Sequence, residues 1–181
     1  MANDLADGAA ARELLRDLSS RLIEHVDAIT PGLTEEMSAW RPAPQANSIA
    51  WLLWHSARCQ DLQLCGIGGV EQVWIAQGFR DRFALDLPES PNPGYDIGYG
   101  HTPEDVGKVR APAELLAEYW HAVHKVSLEY LATVTPTELN RVIDRNWEPP
   151  VTAGVRLVSI LDDCAQHLGQ AAYLRGMLGP W

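Results

Sequence analysis

The chain has 181 residues, a net charge of −10 and only two lysines among its fourteen basic residues. That length buries one core and is short for two, so a single domain over residues 1–181 is expected, and so negative a field repels phosphate backbones, which argues against a nucleic-acid partner. Apolar residues make up 46% of the chain, but polar ones interrupt them everywhere, so no stretch approaches the roughly 18–20 apolar residues of a membrane span.

In chain order, residues 8–29 place Leu15, Leu18, Leu22, Val26 and Ile29 at steps of three and four, the period of an amphipathic helix. Thr30-Pro31-Gly32 ends it, and Arg41-Pro42-Ala43-Pro44 forces an extended entry to the next element. Ser48 is placed to cap a second helix, which runs to about Leu64 with Ile49, Leu52, Cys59 and Leu62 on one stripe. His55 falls inside that stripe and so points inward. Gly66, Gly68 and Gly69 stop the helix, and residues 70–111 are the least regular part of the chain, with Pro88, Pro91, Pro93 and a glycine-tyrosine run from Gly94 to His101. A crossover this long is expected to be functional, and its aromatics Trp74, Phe79, Phe83, Tyr95 and Tyr99 argue that it packs on the body as a lid.

Thr102-Pro103-Glu104-Asp105 reads as a short capped turn, and Pro112 stands where a third helix begins, its buried face formed by Leu115, Leu116, Tyr119, Val123, Val126 and Tyr130. Thr135-Pro136-Thr137-Glu138 has the form of a capping box, followed by an irregular piece through Trp147 and Pro149-Pro150. A fourth helix runs from about Thr152 to Leu178 with Leu157, Ile160, Leu161, Cys164, Leu168 and Ala171 as its stripe and Asp163, His167 and Leu174 on one flank. Four helices with one long crossover between the second and third predict an all-α, four-helix bundle, a class that builds metal sites from facing helices.

The chemistry-bearing pattern is His55 on the second helix answered by Asp163 and His167 on the fourth. Residues four apart on a helix share a face and can grip one ion, and a third ligand from another helix leaves coordination positions open, as in catalytic zinc and non-haem iron sites. The competing reading makes Asp163 half of a buried salt bridge with Arg58 or Arg175. Asp162 lies about 160° from Cys164 at the stripe's centre and faces solvent. His121 and His124 read as surface residues and His25 as an edge residue, whereas His101 follows a glycine of the lid and is a candidate acid, base or fourth ligand. Cys164 points into the core. The three cysteines form no CxxC pair and are odd in number, which fits reduced thiols and a cytoplasmic location; the N-terminus lacks the basic-then-apolar order of a leader.

Three segments together resemble the DinB-like superfamily and, more broadly, metal-dependent thiol transferases of the mycothiol-dependent maleylpyruvate isomerase type. They are Ser48-Ile-Ala-Trp-Leu-Leu-Trp-His55-Ser-Ala-Arg58, the Trp74–Gly100 crossover ending Tyr-Gly-His-Thr, and the Arg156–Gly176 stretch with Asp163, His167 and Gln170. The resemblance implies an up-down-down-up bundle that dimerises, with a divalent metal (zinc first, nickel, iron or manganese as alternatives) held by His55, Asp163 and His167. Relatives carry His or Glu where this chain has Asp163, which reaches one methylene less far. The implied partners are a low-molecular-weight thiol such as mycothiol and a small electrophile, with Arg58 and Gln170, one turn from His55 and His167, orienting ligands. Three activities fit: thiol S-transfer or isomerisation in stress or detoxification, metal-dependent hydrolysis with His101 as base, and ligand binding without reaction.

Overall fold

The computed structural model describes residues 8–89, 91 and 94–179; the N-terminal residues read for a leader and Pro93 of the crossover lie outside them. The fold is all-α apart from a two-strand ribbon. Its frame is four long helices, α1 (Ala9–Ile29), α3 (Ile49–Gly68), α7 (Ala113–Leu131) and α9 (Ala153–Met177). Each packs on two others in the cyclic order α1, α7, α3, α9, so that α3 lies diagonally across from α1. Short helices fill the connections: α2 (Glu35–Ala39), then α4 (Val73–Ala76), α5 (Phe79–Phe83), a 3₁₀ turn (Tyr95–Ile97) and α6 (Pro103–Lys108) in the crossover, and α8 (Pro136–Asn140) after α7.

Hydroxyl caps set the starts of α3, α6, α8 and α9. Ser48, Thr102, Thr135 and Thr152 each accept the backbone N–H three residues on, satisfying a donor the helix leaves orphaned. Thr102 and Asp105 complete a reciprocal capping box. At Thr135 only half of the expected box forms, because Glu138 turns to the Tyr130 hydroxyl and Arg141. Pro112 caps α7 from outside rather than opening it. The second helix outlasts the expected stop by a turn: Gly66 and Gly68 stay helical and Gly69, at φ +67°, closes it. The piece read as irregular contains antiparallel β1 (Val142–Asp144) and β2 (Val151–Thr152).

The expected single stripe on the second helix is replaced by burial on nearly every side. Every residue from Ile49 to Asp61 is buried, Trp51 and Trp54 included, because α7 and α9 flank α3 and the crossover covers its remaining face. Its polar side chains therefore need internal partners, and Gln60 donates to Ser127 at 2.8 Å while Trp120 donates its indole N–H to the Leu53 carbonyl at 2.8 Å. On α1 the stripe shifts: Leu22, Val26 and Ile29 are buried, but Leu18 is 38% exposed and Ser19 takes the inward place, 3.3 Å from the His124 ring. That contact makes His124 half-buried rather than a surface residue, whereas His121 is exposed as expected, 2.8 Å from Asp27.

The crossover packs on the bundle through Val73, Trp74, Phe79, Phe83 and Ile97. Asp61 fastens it: its carboxylate accepts the backbone N–H of Val73 and Trp74 and the Tyr119 hydroxyl, all within 2.9 Å. Arg58, fully buried, lies 3.6 Å from Asp61, donates to Gln72 and to Asp96, and stacks its guanidinium over Trp74 at 4.7 Å. Among the described residues no helix is long and apolar enough to cross a membrane.

Candidate metal centre

Where α3 and α9 face each other, His55, Asp163 and His167 each offer a ligand atom within 4.8 Å of the other two. One turn of α9 separates Asp163 from His167, and the Asp163 Oδ1 to His167 Nε2 distance is 3.6 Å. Donors about 2.0–2.2 Å from a tetrahedral zinc stand roughly 3.3–3.5 Å apart, so this pair already fits and the third ligand closes with a small inward shift.

Both imidazoles are oriented from behind. His55 Nδ1 meets the carbonyl of Ile97, and His167 Nδ1 meets the Gln170 side-chain oxygen at 3.1 Å. An acceptor opposite Nδ1 makes it the protonated nitrogen and leaves Nε2 with its lone pair free, the tautomer that metal ligation needs. Trp51 stacks on the His55 ring at 4.4 Å and 15°. Asp163 Oδ2 is buried without a hydrogen-bond partner. A buried, unpaired carboxylate oxygen is costly, and a cation between the three side chains removes that cost, so the residues fit a divalent metal. The salt-bridge reading does not describe the structure: Arg58 pairs with Asp61 and Asp96, and Arg175 donates to the Pro31 carbonyl.

The other expected site residues divide. Gln170 stands at the site through His167. His101 is outside the three-residue cluster: its Nδ1 accepts the Trp51 indole N–H at 3.1 Å, and its ring lies between Trp54 and Tyr95. Arg58 faces the crossover rather than the cluster. Two neighbours escaped the sequence reading. Cys59 Sγ is 3.6 Å from His55 Nε2, and the i+4 spacing from His55 was the signal that could have found it. Its thiol is pushed up to about 12, chiefly by burial. Tyr99 sets its ring edge-on to His55 at 5.5 Å, and burial first, then Cys59 and Asp163, push its phenol up to about 12.

A cleft of about 300 Å³ opens beside Asp163, lined by Gln63, Tyr99, Trp147, Arg156 and Ser159. It gives the Asp163 side of the cluster an approach from solvent. Replacing Gln170 by leucine removes the acceptor that holds His167, and is expected to weaken zinc binding by about 10–100-fold with an unchanged melting temperature of the metal-free protein, measured by competition with a chromophoric chelator.

Burial holds His55, His101 and His124 below the ordinary imidazole value of 6.5. With the folded-state value below the unfolded one, the unfolded chain binds more protons as pH falls through that window, so stability is complete above it and declines on acidification. Urea unfolding of the metal-free protein is expected to give a lower midpoint at pH 5.5 than at 7.5. The carboxylate of Asp105, held down to about 2 first by the Thr102 hydroxyl, loses its contribution only well below that range.

A conserved protein from Enterococcus faecalis, known from its crystal structure, superposes with a TM-score of 0.82 at 37% identity, over 90% of this chain and 94% of that one. No curated protein matches the chain. The sequence profile of the Mycothiol-S-transferase family matches residues 14–179, nearly the whole chain and all three residues of the metal cluster. The protein belongs to the Mycothiol-S-transferase family, with the all-α fold of DinB-like proteins.

Proposed function

We propose that the protein is a metal-dependent enzyme that joins a low-molecular-weight thiol, mycothiol or a close analogue, through its sulfur to a small electrophile, whose leaving group departs as the S–C bond forms, with zinc as the metal. The observation that carries this reading is the His55, Asp163 and His167 cluster, with its orphaned Asp163 oxygen and with Asp163 lining an open cleft. A divalent cation held there supplies the Lewis acidity that lowers the pKa of a bound thiol and keeps a thiolate available at neutral pH.

The chain's own residues do the rest. The Ile97 carbonyl and Gln170 fix the two imidazoles with Nε2 forward, and Trp51 holds the plane of His55. His101 acts through Trp51, as a positioning residue. The cleft receives the electrophile: Trp147, 64% exposed, offers an apolar wall, while Tyr99, Ser159 and Arg156 offer donors for a polar substituent. Tyr99 stays protonated through the neutral range, so it donates a hydrogen bond rather than accepting a proton. In the metal-free protein burial keeps Cys59 a thiol.

The test is consumption of an alkylating probe such as monobromobimane by the purified protein, with thiol and zinc supplied separately and together. Catalysed consumption above the uncatalysed rate only when both are present supports the proposal. Equal rates without protein, or turnover of an ester substrate with no thiol added, contradict it, and the second outcome assigns the site to hydrolysis.

A further inference from the structure

Along Trp54 the crossover forms a second, partly open cavity of about 620 Å³, walled by Trp54, Trp74, Leu85, Leu87, Tyr95 and Asp96. Its volume is that of a small-molecule site. Two flat indoles and a phenol face aliphatic side chains across it, a lining suited to a ring rather than to a flexible chain.

Arg80 and Glu89 stand on the lining itself, and another charged group lies behind it. Arg58 is fully buried, yet two of its neighbours, Trp74 under the guanidinium and Asp96 at 3.2 Å from one terminal nitrogen, belong to the cavity lining. Asp61, its other carboxylate, is already engaged by two backbone N–H groups and the Tyr119 hydroxyl. The Asp96 side chain is 64% exposed, so it reaches Arg58 from the solvent side and can leave without unfolding anything. Two buried donors are without a hydrogen-bond partner, the Nε of Arg58 and the indole N–H of Trp54, a residue of the cavity wall. Ala84, in the cavity wall, holds a left-handed backbone at φ 44°, a conformation costly for a side-chain-bearing residue.

We propose that this cavity is a second ligand site, for a flat apolar molecule bearing one carboxylate, which takes the place of Asp96 on Arg58 and lays its ring along the wall that Trp54, Trp74 and Tyr95 form opposite Leu85 and Leu87. The same turn carries the signal onward. Tyr95 and Asp96 face the cavity, whereas the next residue, Ile97, turns its carbonyl to His55. Gly98 follows at φ +106°, so close that a Cβ there would lie 2.7 Å from His55 Nδ1. Releasing Asp96 therefore shifts the acceptor that orients His55, and occupancy of the cavity lowers affinity at the metal cluster. The effect is reciprocal, because coupling between two binding equilibria has one free energy.

The experiment is calorimetric titration of the metal-free protein with benzoate, with benzylamine as the isosteric cation, while the His55 imidazole resonance is followed by NMR. Benzoate is expected to bind one to one and benzylamine not to bind. Asp96→Ala, which removes the competing carboxylate, is expected to tighten benzoate binding about ten-fold, and Leu87→Trp, which fills the cavity, to abolish it. Benzoate is expected to move the His55 resonance in the metal-free protein and to weaken zinc binding several-fold. No benzoate binding, equal binding by Leu87→Trp, or preference for benzylamine overturns the site. Binding that leaves both the His55 resonance and the zinc affinity untouched overturns the coupling. The benzoate titration needs no metal, so failure of the transferase reading leaves it standing as a test.

Discussion

Replacement of His167 by alanine is expected to abolish metal-dependent thiol transfer while leaving the fold intact. His167 supplies one of three ligand atoms and is also the side chain that Asp163 Oδ1 approaches at 3.6 Å. Removing it leaves one imidazole and one carboxylate, on different helices, to hold an ion alone. The loss in zinc affinity is expected to exceed the roughly 10–100-fold that follows when only an outer orienting partner is removed, and to be larger than that of Gln170→Leu. The fold tolerates the change because His167 is partly exposed on the flank of α9, whose core contacts run through Cys164, Leu168 and Ala171. Paired measurements of zinc affinity and bimane turnover check it: both fall together if the residue acts by ligation. Turnover that survives the loss of zinc binding removes the metal from the mechanism.

The second large effect belongs to Asp61. Its carboxylate gathers two backbone N–H groups of the crossover, the Tyr119 hydroxyl, the Cys65 thiol and the Arg58 guanidinium, all away from water. Asp61→Ala leaves the buried cation with only the exposed Asp96 as a counter-ion and frees two buried backbone donors. Breaking one side of a buried ion pair costs about 3–5 kcal/mol, a fall of roughly 6–20 °C in melting temperature for a chain of this size. Asp96→Ala, whose carboxylate is mostly in water, is expected to cost no more than about 1 kcal/mol. Thermal unfolding of the two variants side by side checks the contrast. Equal losses would show that Arg58 draws its compensation from outside the Asp61 cluster.

The α9 half of the site was readable because i, i+4 spacing on a helix is a geometric constraint: Asp163 and His167 must share a face. The long helices followed from period; the starts of α3 and α9 followed from Ser48 and Thr152, and those of the short α6 and α8 from Thr102 and Thr135, since a hydroxyl cap acts on residues only three positions away. What escaped depends on contacts between distant segments. Gln60 and Asp61 look like the solvent face of an amphipathic helix until Ser127 and the backbone of Val73 and Trp74 arrive to satisfy them. His124 likewise exchanges expected exposure for partial burial because the inward-facing Ser19 meets its ring.

The crossover was the hardest part to read, because glycine-rich turns have no period. Nothing in Gly94–His101 distinguishes Tyr99, which reaches the cleft beside Asp163, from His101, which is held behind Trp51. Nor does any side-chain pattern announce that a backbone carbonyl, that of Ile97, orients His55. Both outcomes are set by positive-φ glycines: Gly98 turns the chain just after Ile97, and Gly100 turns it between Tyr99 and His101.

The most direct measurement is an equilibrium titration of the chelator-stripped protein with zinc, with and without a low-molecular-weight thiol, for the wild-type chain and for His55→Ala. The account predicts one equivalent of zinc bound by the wild type, tighter binding when thiol is present, and loss of both effects in the variant. Stoichiometric zinc binding that is indifferent to His55, or a wild-type protein that takes up none, would contradict it.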